Sequence, residues 1–320
     1  MKIVILDSRT TNPGDLSWDF LKKYTDDIDI YDRTADDQVI ERAKGANILI
    51  VNKTIVDKEK INALMPELEY IGLQSTGYNV IDLETATKNG ITVCNIPSYS
   101  TNAVAQQVFA FILQYTNYIN HHSESVRNGG WCNCPDFCYW EKPLTELEGK
   151  TIGIIGFGSI GQRVAKIAEA FDANVIFSSR SVKDTSDFKN AKQVELDTLF
   201  KESGFITCHV PLTKETEGLI NLENIKKMKA SAVLINTSRG PVVNEKDLAY
   251  ALNNDMIAGA GVDVLSVEPP KTDNPLLTAK NCLITPHIAW AAKETRTRLI
   301  GVLDENISKY LEGHPQNKVN

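Results

Sequence analysis

From Met1 onward, short apolar runs alternate with longer amphipathic ones. KIVIL (2–6), IDIYD (28–32), NILIVN (47–52), YIGLQS (70–75) and TVCNI (92–96) are rich in Ile and Val and bounded by polar residues or by Gly and Pro, so they predict strands. Between them, DDQVIERAKG (36–45) and KEKINALMP (58–66) place apolar residues at helical period and stop on Gly or Pro. Strands that alternate with helices predict a mainly parallel sheet covered on both faces.

At Thr101 the pattern changes. NAVAQQVFAFILQYTNYI has too few breakers for a strand and predicts one long helix, leading into the aromatic stretch RNGGWCNCPDFCYWEKP at 127–143. That stretch is expected either to contact a second subunit or to fold over its own domain. A second alternating series follows: IGIIG (152–156), NVIFSS (174–179), FITCHVP (205–211), AVLINTS (232–238), GAGVDV (259–264) and CLITP (282–286). QRVAKIAEAF (162–171) and EKDLAYALNN (245–254) fit helices between these strands, the latter with Asn244 as N-cap, and 295–313 predicts a terminal helix.

Composition narrows the class. With 320 residues, 42% hydrophobic and 23% charged, the chain is expected to be globular and long enough for two cores. A formal charge of -7, with no cluster of Lys and Arg, argues against a nucleic-acid partner. The N-terminus meets Asp7 at once and so lacks the apolar core of a signal peptide. No window approaches the roughly 18 apolar residues of a membrane span. A cytoplasmic protein without membrane contact is therefore expected. Cys132, Cys134 and Cys138, even with His121 or His122 as a fourth group, do not match the usual zinc spacings, so reduced thiols and no metal are expected.

GFGSIG supplies the first chemistry. Gly156, Gly158 and Gly161 follow an apolar strand and open an amphipathic helix, the context that a dinucleotide cradle requires. The N–H groups of Phe157, Gly158, Ser159 and Ile160, with the helix dipole, are expected to meet the pyrophosphate. Such a site usually ends its second strand on an acid that takes the ribose 2'-hydroxyl. Here Ser179 and Arg180 stand in that place, with Lys183 close by. A serine and a guanidinium suit a 2'-phosphate, so NADP(H) is expected in preference to NAD(H), which remains possible. A solvated Arg180 and an indifferent site is the alternative.

Arg239 in NTSRGPVVN, Glu268 in GVDVLSVEPP and His287 in ITPHIAW all stand just beyond predicted strands, where an open parallel sheet binds its ligands. Together they offer what reduction of a 2-oxo acid needs. Arg239 is a cation for the carboxylate and carbonyl, His287 an acid for the developing alkoxide, and Glu268 a carboxylate to orient that acid.

GFGSIG, CHVPLTKETEGLIN, LINTSRGPVVNE, GAGVDVLSVEPP and ITPHIAW stand in the order and spacing of the D-isomer-specific 2-hydroxyacid dehydrogenases. The chain resembles that family over nearly its whole length, most specifically from 145 to 290. The resemblance implies an α/β fold of two doubly wound, Rossmann-like parallel-sheet domains. One is a discontinuous, flavodoxin-like substrate domain of residues 1–100 plus 290–320. The other is an NAD(P)-binding domain of residues 101–289, with a dimerisation arm at about 101–150 and hence a homodimer. The resemblance implies Arg239 for substrate binding and His287, partnered by Glu268, for acid/base work. By position it implies that Val210, Pro211, Thr216, Thr237 and Asp263, with His209 and Ser238 in the same stretches, line the cofactor. It places the substrate loop at QSTGYNV, where backbone N–H groups at Ser75, Thr76 and Gly77 suit a carboxylate.

Two features refine the branch. The missing acid resembles the NADP-using hydroxypyruvate and glyoxylate reductases, and Trp290 with NAVAQQ resembles the glycerate dehydrogenase branch. Gln106 stands where many relatives carry Glu. A chain that stops at Asn320 is not expected to be one of the long phosphoglycerate dehydrogenases, which carry an added regulatory domain. The expected activity is reduction of hydroxypyruvate or glyoxylate. A D-lactate-type or other D-2-hydroxyacid dehydrogenase is the alternative within the class, and a non-catalytic dinucleotide-sensing protein the alternative outside it.

Overall fold

Five parallel strands, β1 (Ile3–Ile5), β2 (Ile28–Ile30), β3 (Ile48–Val51), β4 (Tyr70–Leu73) and β5 (Thr92–Cys94), form a sheet of order β2-β1-β3-β4-β5. The computed structural model describes residues 1–320 and divides them into two units, Met1–Ser100 with Ala291–Asn320, and Thr101–Trp290. In the first unit α1 (Val39–Ala43), α2 (Lys58–Ala63) and α3 (Leu83–Lys88) connect the strands. Asp57 and Asp82 cap α2 and α3 by accepting from Lys60 N and Thr85 N. Alternation divides the strand side chains between two faces. Val4, Leu6, Leu49, Val51, Ile71 and Leu73 join one buried cluster with residues of α1 to α3. Gly72 and Tyr70 meet the C-terminal helix Lys293–Leu311, through Leu303 and Tyr310, on the other.

The second unit begins with α4 (Thr101–Asn117), which buries Val104, Val108, Phe111, Ile112 and Thr116. The single long helix expected from the sequence is in fact broken. Tyr118 turns left-handed at a φ of +47°, and α5 (Ile119–Arg127) follows with no buried residue. The buried face of α4 ends at Thr116, so nothing beyond it rewards continuing along the same axis.

A seven-stranded parallel sheet follows, in the order β12-β11-β10-β9-β6-β7-β8. Its elements are β6 (Thr151–Ile155), α6 (Ser159–Ala170), β7 (Asn174–Ser178), β8 (Lys192–Gln193), α7 (Leu196–Glu202), β9 (Phe205–Cys208), α8 (Leu222–Ile225), β10 (Val233–Asn236), α9 (Glu245–Asn253), β11 (Gly259–Val262) and β12 (Cys282–Ile284). Asn244 caps α9 by accepting from Lys246 N and Asp247 N. Period-two alternation again sorts the core. Ile152, Ile154, Val233 and Ile235 pack with α4 and α6, whereas Ile155, Ile206 and Leu234 pack with α7, α8 and α9. Truncating a fully buried member such as Ile154 to Ala costs about 2–5 kcal/mol.

The strand order reverses between β6 and β9, so the carboxyl ends of those two strands border a ready-made crevice. β8, a two-residue edge strand, carries no periodicity for a sequence to reveal.

Candidate active site

β6 delivers the chain to Gly156, whose φ is +94° and where an added Cβ would run into the carbonyl of His209. Phe157 turns inward and stacks on Phe177 of β7 at 3.7 Å, fixing the turn from below. Gly158 is the N-cap of α6, and nothing lies within 4 Å of the position its Cβ would take. Open space therefore stands over a helix terminus whose first N–H groups have no intrahelical partner. Gly161 packs on the Gly156 carbonyl, too close for a side chain. Ser159 and Ile160 begin the helix between these glycines.

At the ends of β9 and β10, both ring nitrogens of His209 and the hydroxyls of Thr207 and Thr237 are enclosed without a hydrogen-bond partner. Each such group costs about 1–3 kcal/mol while unpaired. Unpaired polar groups of His209 and Thr237 beside an open phosphate cradle fit a nicotinamide dinucleotide, which would supply polar partners there. Burial holds the His209 imidazole down at about 3, so it stands there as a neutral ring. Val210 is half-buried and Pro211 exposed. The Thr216 hydroxyl donates to Pro211 O at 2.7 Å and accepts from Thr213 N at 2.8 Å, closing the loop after β9.

Ser179 and Arg180 follow β7 directly. Gln193 of β8 holds this turn, donating to Ser179 O at 3.1 Å and accepting from Lys183 N at 3.1 Å. The guanidinium of Arg180 is exposed. Glu215, on the loop after β9, is held below the usual carboxylate range first by the Thr213 hydroxyl and then by its own backbone, with the Arg180 charge adding to the effect.

Beyond the ends of β10, β11 and β12, the turns that carry Arg239, Glu268 and His287 lie together. His287 Nδ1 lies 2.6 Å from Glu268 Oε2, and Glu268 Oε1 accepts from Leu265 N at 3.0 Å. Both side chains keep a face to solvent, at 28% and 34% exposure. With Nδ1–H donated to Glu268, Nε2 is the nitrogen left to exchange a proton. His287 itself has a φ of +54°, the left-handed region in which a non-glycine residue is strained. Arg239 is exposed on the turn after β10, its Nη1 donating to Ser238 O at 2.8 Å. Asp263 is 1% exposed, and burial raises its carboxyl above the usual range.

In the first unit, the loop after β4 is pinned from within. Ser75 Oγ donates to Gly77 O at 2.6 Å, and Thr76 Oγ1 to Ile96 O at 2.8 Å. Both hydroxyls are thereby engaged with backbone carbonyls.

Residues 109–289 match the model of the D-isomer specific 2-hydroxyacid dehydrogenase, NAD binding domain. The chain is 46% identical to a hydroxypyruvate reductase of Blautia hydrogenotrophica, over 100% of both chains. The chain belongs to the D-isomer specific 2-hydroxyacid dehydrogenase family. The dehydrogenase is also 37% identical to a glycerate dehydrogenase of Methylorubrum extorquens, covering 99% of this chain and 98% of that one. Among solved structures it superimposes with a TM-score of 0.87, at 34% identity and 100% coverage of both chains, on an acyclic imino acid reductase in complex with NADPH and D-Arg. The family makes this protein an oxidoreductase that uses a nicotinamide dinucleotide and a small hydroxy or oxo acid.

Two residues beside the candidate site carry no clear mark in the sequence. Asn236 looks like the last residue of an apolar strand, yet its side chain is buried and holds the Arg239 turn. Its only signal is a polar residue closing VLIN. Glu215 lies some 35 residues beyond Arg180 in sequence, and only the crossover from β7 to β9 makes them neighbours. The segment after α5 exposes Trp131, Phe137 and Trp140, at 53%, 89% and 67%, beside a cavity of about 590 Å³ lined by Ile119, His122 and Tyr139 among others. No helix is long and apolar enough to cross a membrane.

Proposed function

We propose that this dehydrogenase reduces hydroxypyruvate and glyoxylate to their D-2-hydroxy acids, taking NADPH in preference to NADH. The observation that carries the substrate is the full-length relative of 46% identity, a hydroxypyruvate reductase. Hydride chemistry is supplied by the bound nicotinamide, and the protein does the rest.

Arg239 binds the substrate carboxylate and polarises the C2 carbonyl, and the backbone N–H groups at Ser75, Thr76 and Gly77 suit a carboxylate. His287 donates a proton from Nε2 to the alkoxide forming at C2. Glu268 holds the ring by its Nδ1–H, so that Nε2 is presented. Gly156, Gly158, Ser159, Ile160 and Gly161 hold the pyrophosphate. His209, Val210, Pro211, Thr216, Thr237 and Ser238 line the nucleoside, and Ser179 with Arg180 takes the 2'-phosphate.

The protein acts as a cytoplasmic homodimer, its partner covering the apolar surface around Trp131, Phe137 and Trp140. The deciding experiment compares kcat/KM for hydroxypyruvate, glyoxylate, pyruvate and a branched-chain 2-oxo acid, with each cofactor. Hydroxypyruvate or glyoxylate should lead, with NADPH the better donor. A lead for pyruvate or the branched acid would move the enzyme to another branch of the family.

A further inference from the structure

We propose that Asn236 and Asp263 form a buried brace that positions Arg239 and His287 relative to each other, and so sets the spacing between the substrate's anchor and its proton donor. The inference rests on the roles given to Arg239 and His287 above. The brace spans the ends of β10 and β11, which run side by side with Asn236 opposite Val262. Asp263 N donates to Asn236 O at 2.9 Å, tying the two residues through the backbone. Each is 1% exposed.

Their side chains bond to little except the two functional turns. Asn236 Oδ1 accepts from Ser238 N at 3.0 Å and Ser238 Oγ at 2.8 Å, while Nδ2 donates to Arg239 O at 2.9 Å. That closes the backbone on both sides of the Arg239 side chain. Asp263 Oδ1 accepts from Thr285 Oγ1 at 2.6 Å and from Ile288 N at 2.9 Å, and Oδ2 accepts from Ala289 N at 2.8 Å. The Asp263 carbonyl accepts from His287 N at 2.8 Å. Residues 285–289 are thus clasped at four points around a His287 held in the left-handed region, which such a residue leaves unless its surroundings over-determine it.

Two further contacts lock the turns together. An added Cβ on Gly240 would run into the backbone of Leu265 and Ser266, so the Arg239 turn lies directly against the segment that presents Glu268. Gln107 Nε2 of α4 reaches Thr285 Oγ1 at 3.4 Å, linking the His287 clasp to the helix behind it. The family resemblance places Asp263 against the cofactor. Here three donors from the His287 segment converge on its carboxylate, and a carboxamide in its place could not accept from all three.

The test measures kcat, KM for hydroxypyruvate, Kd for NADPH by fluorescence titration and Tm for Asp263→Asn, Asn236→Ala and Thr285→Val, with His287→Ala as reference. Misplacing a reacting group by about 1 Å costs on the order of 100-fold. Asp263→Asn should therefore lower kcat about 100-fold while KM and the NADPH Kd stay within about threefold. Asn236→Ala should raise KM about tenfold and lower kcat with it, because Arg239 both holds and polarises the substrate. In the His287→Ala background, Asp263→Asn should cost less than about threefold more, since it acts through His287.

Thr285→Val removes one donor and should give the Asp263→Asn pattern in miniature, about fivefold in kcat, even if Asp263→Asn fails to fold. Unchanged kcat in Asp263→Asn or Thr285→Val overturns the brace. So does a loss additive with His287→Ala, or an NADPH Kd raised more than about tenfold with kcat intact, which would make Asp263 a cofactor contact. Near-normal turnover of His287→Ala would instead overturn the acid/base assignment on which the brace rests.

Discussion

Glu268→Gln perturbs the proposed acid/base pair with almost no change of shape. In the structure two donors meet the Glu268 carboxylate: Leu265 N–H at 3.0 Å and His287 Nδ1 at 2.6 Å. A carboxylate accepts from both, whereas a carboxamide accepts with one atom and must turn its NH2 toward the other donor. The loss is one charge-assisted hydrogen bond, worth about 1.5–3 kcal/mol. Glu268 is about one-third exposed, so solvent screening favours the lower half of that range. At about 1.4 kcal/mol per tenfold, kcat should fall roughly 10- to 100-fold. The KM for hydroxypyruvate should move less than about threefold, because Glu268 acts on the proton donor and not on the substrate's anchor. Steady-state NADPH oxidation at saturating cofactor reads both parameters. A kcat within twofold of the parent, or a change confined to KM, would refute the view that Glu268 orients the acid.

Other consequences are as direct. Ser179→Asp restores an acid at the end of the second strand and should reverse the cofactor order, lowering kcat/KM with NADPH and raising it with NADH; an unchanged ratio would show that this position does not read the 2'-phosphate. Gly158→Ala adds a methyl where nothing lies within 4 Å, so Tm should hold while the NADPH Kd, from fluorescence titration, rises severalfold. His209 titrates at about 3 when folded and 6.5 when free, so the stability it contributes is complete above about 6.5 and is lost as the pH falls toward 3. Urea unfolding at pH 7 and pH 5 should show a loss on acidification that is smaller in His209→Gln.

Much of this fold is legible because each layer has its own period. Apart from the two-residue edge strand β8, the apolar runs mark the strands to within one to three residues, since the inner strands of both sheets are buried on both faces and read as apolar. GFGSIG is legible for a related reason: close backbone approaches admit only glycine, and they fall at fixed intervals along one strand-turn-helix unit. Arg239, Glu268 and His287 stand out as polar residues at strand ends, and the pairing of Glu268 with His287 follows once β11 and β12 are neighbours.

What the sequence hid depends on tertiary packing. The break at Tyr118 has no Gly or Pro to announce it and occurs where α4 runs out of partners. Asn236 and Asp263 read as the tails of two strands, and only the adjacency of β10 and β11 turns them into one unit. The nearness of Glu215 to Arg180 needs the order β9-β6-β7, which no local pattern encodes.

The measurement that bears most directly on the account is turnover of hydroxypyruvate with NADPH by the parent protein and by His287→Ala, with the chirality of the glycerate determined. The account predicts D-glycerate from the parent and a kcat reduced at least about 100-fold in His287→Ala, with NADPH binding retained. No turnover of hydroxypyruvate by the parent, an L product, or near-normal kcat in the variant would contradict it.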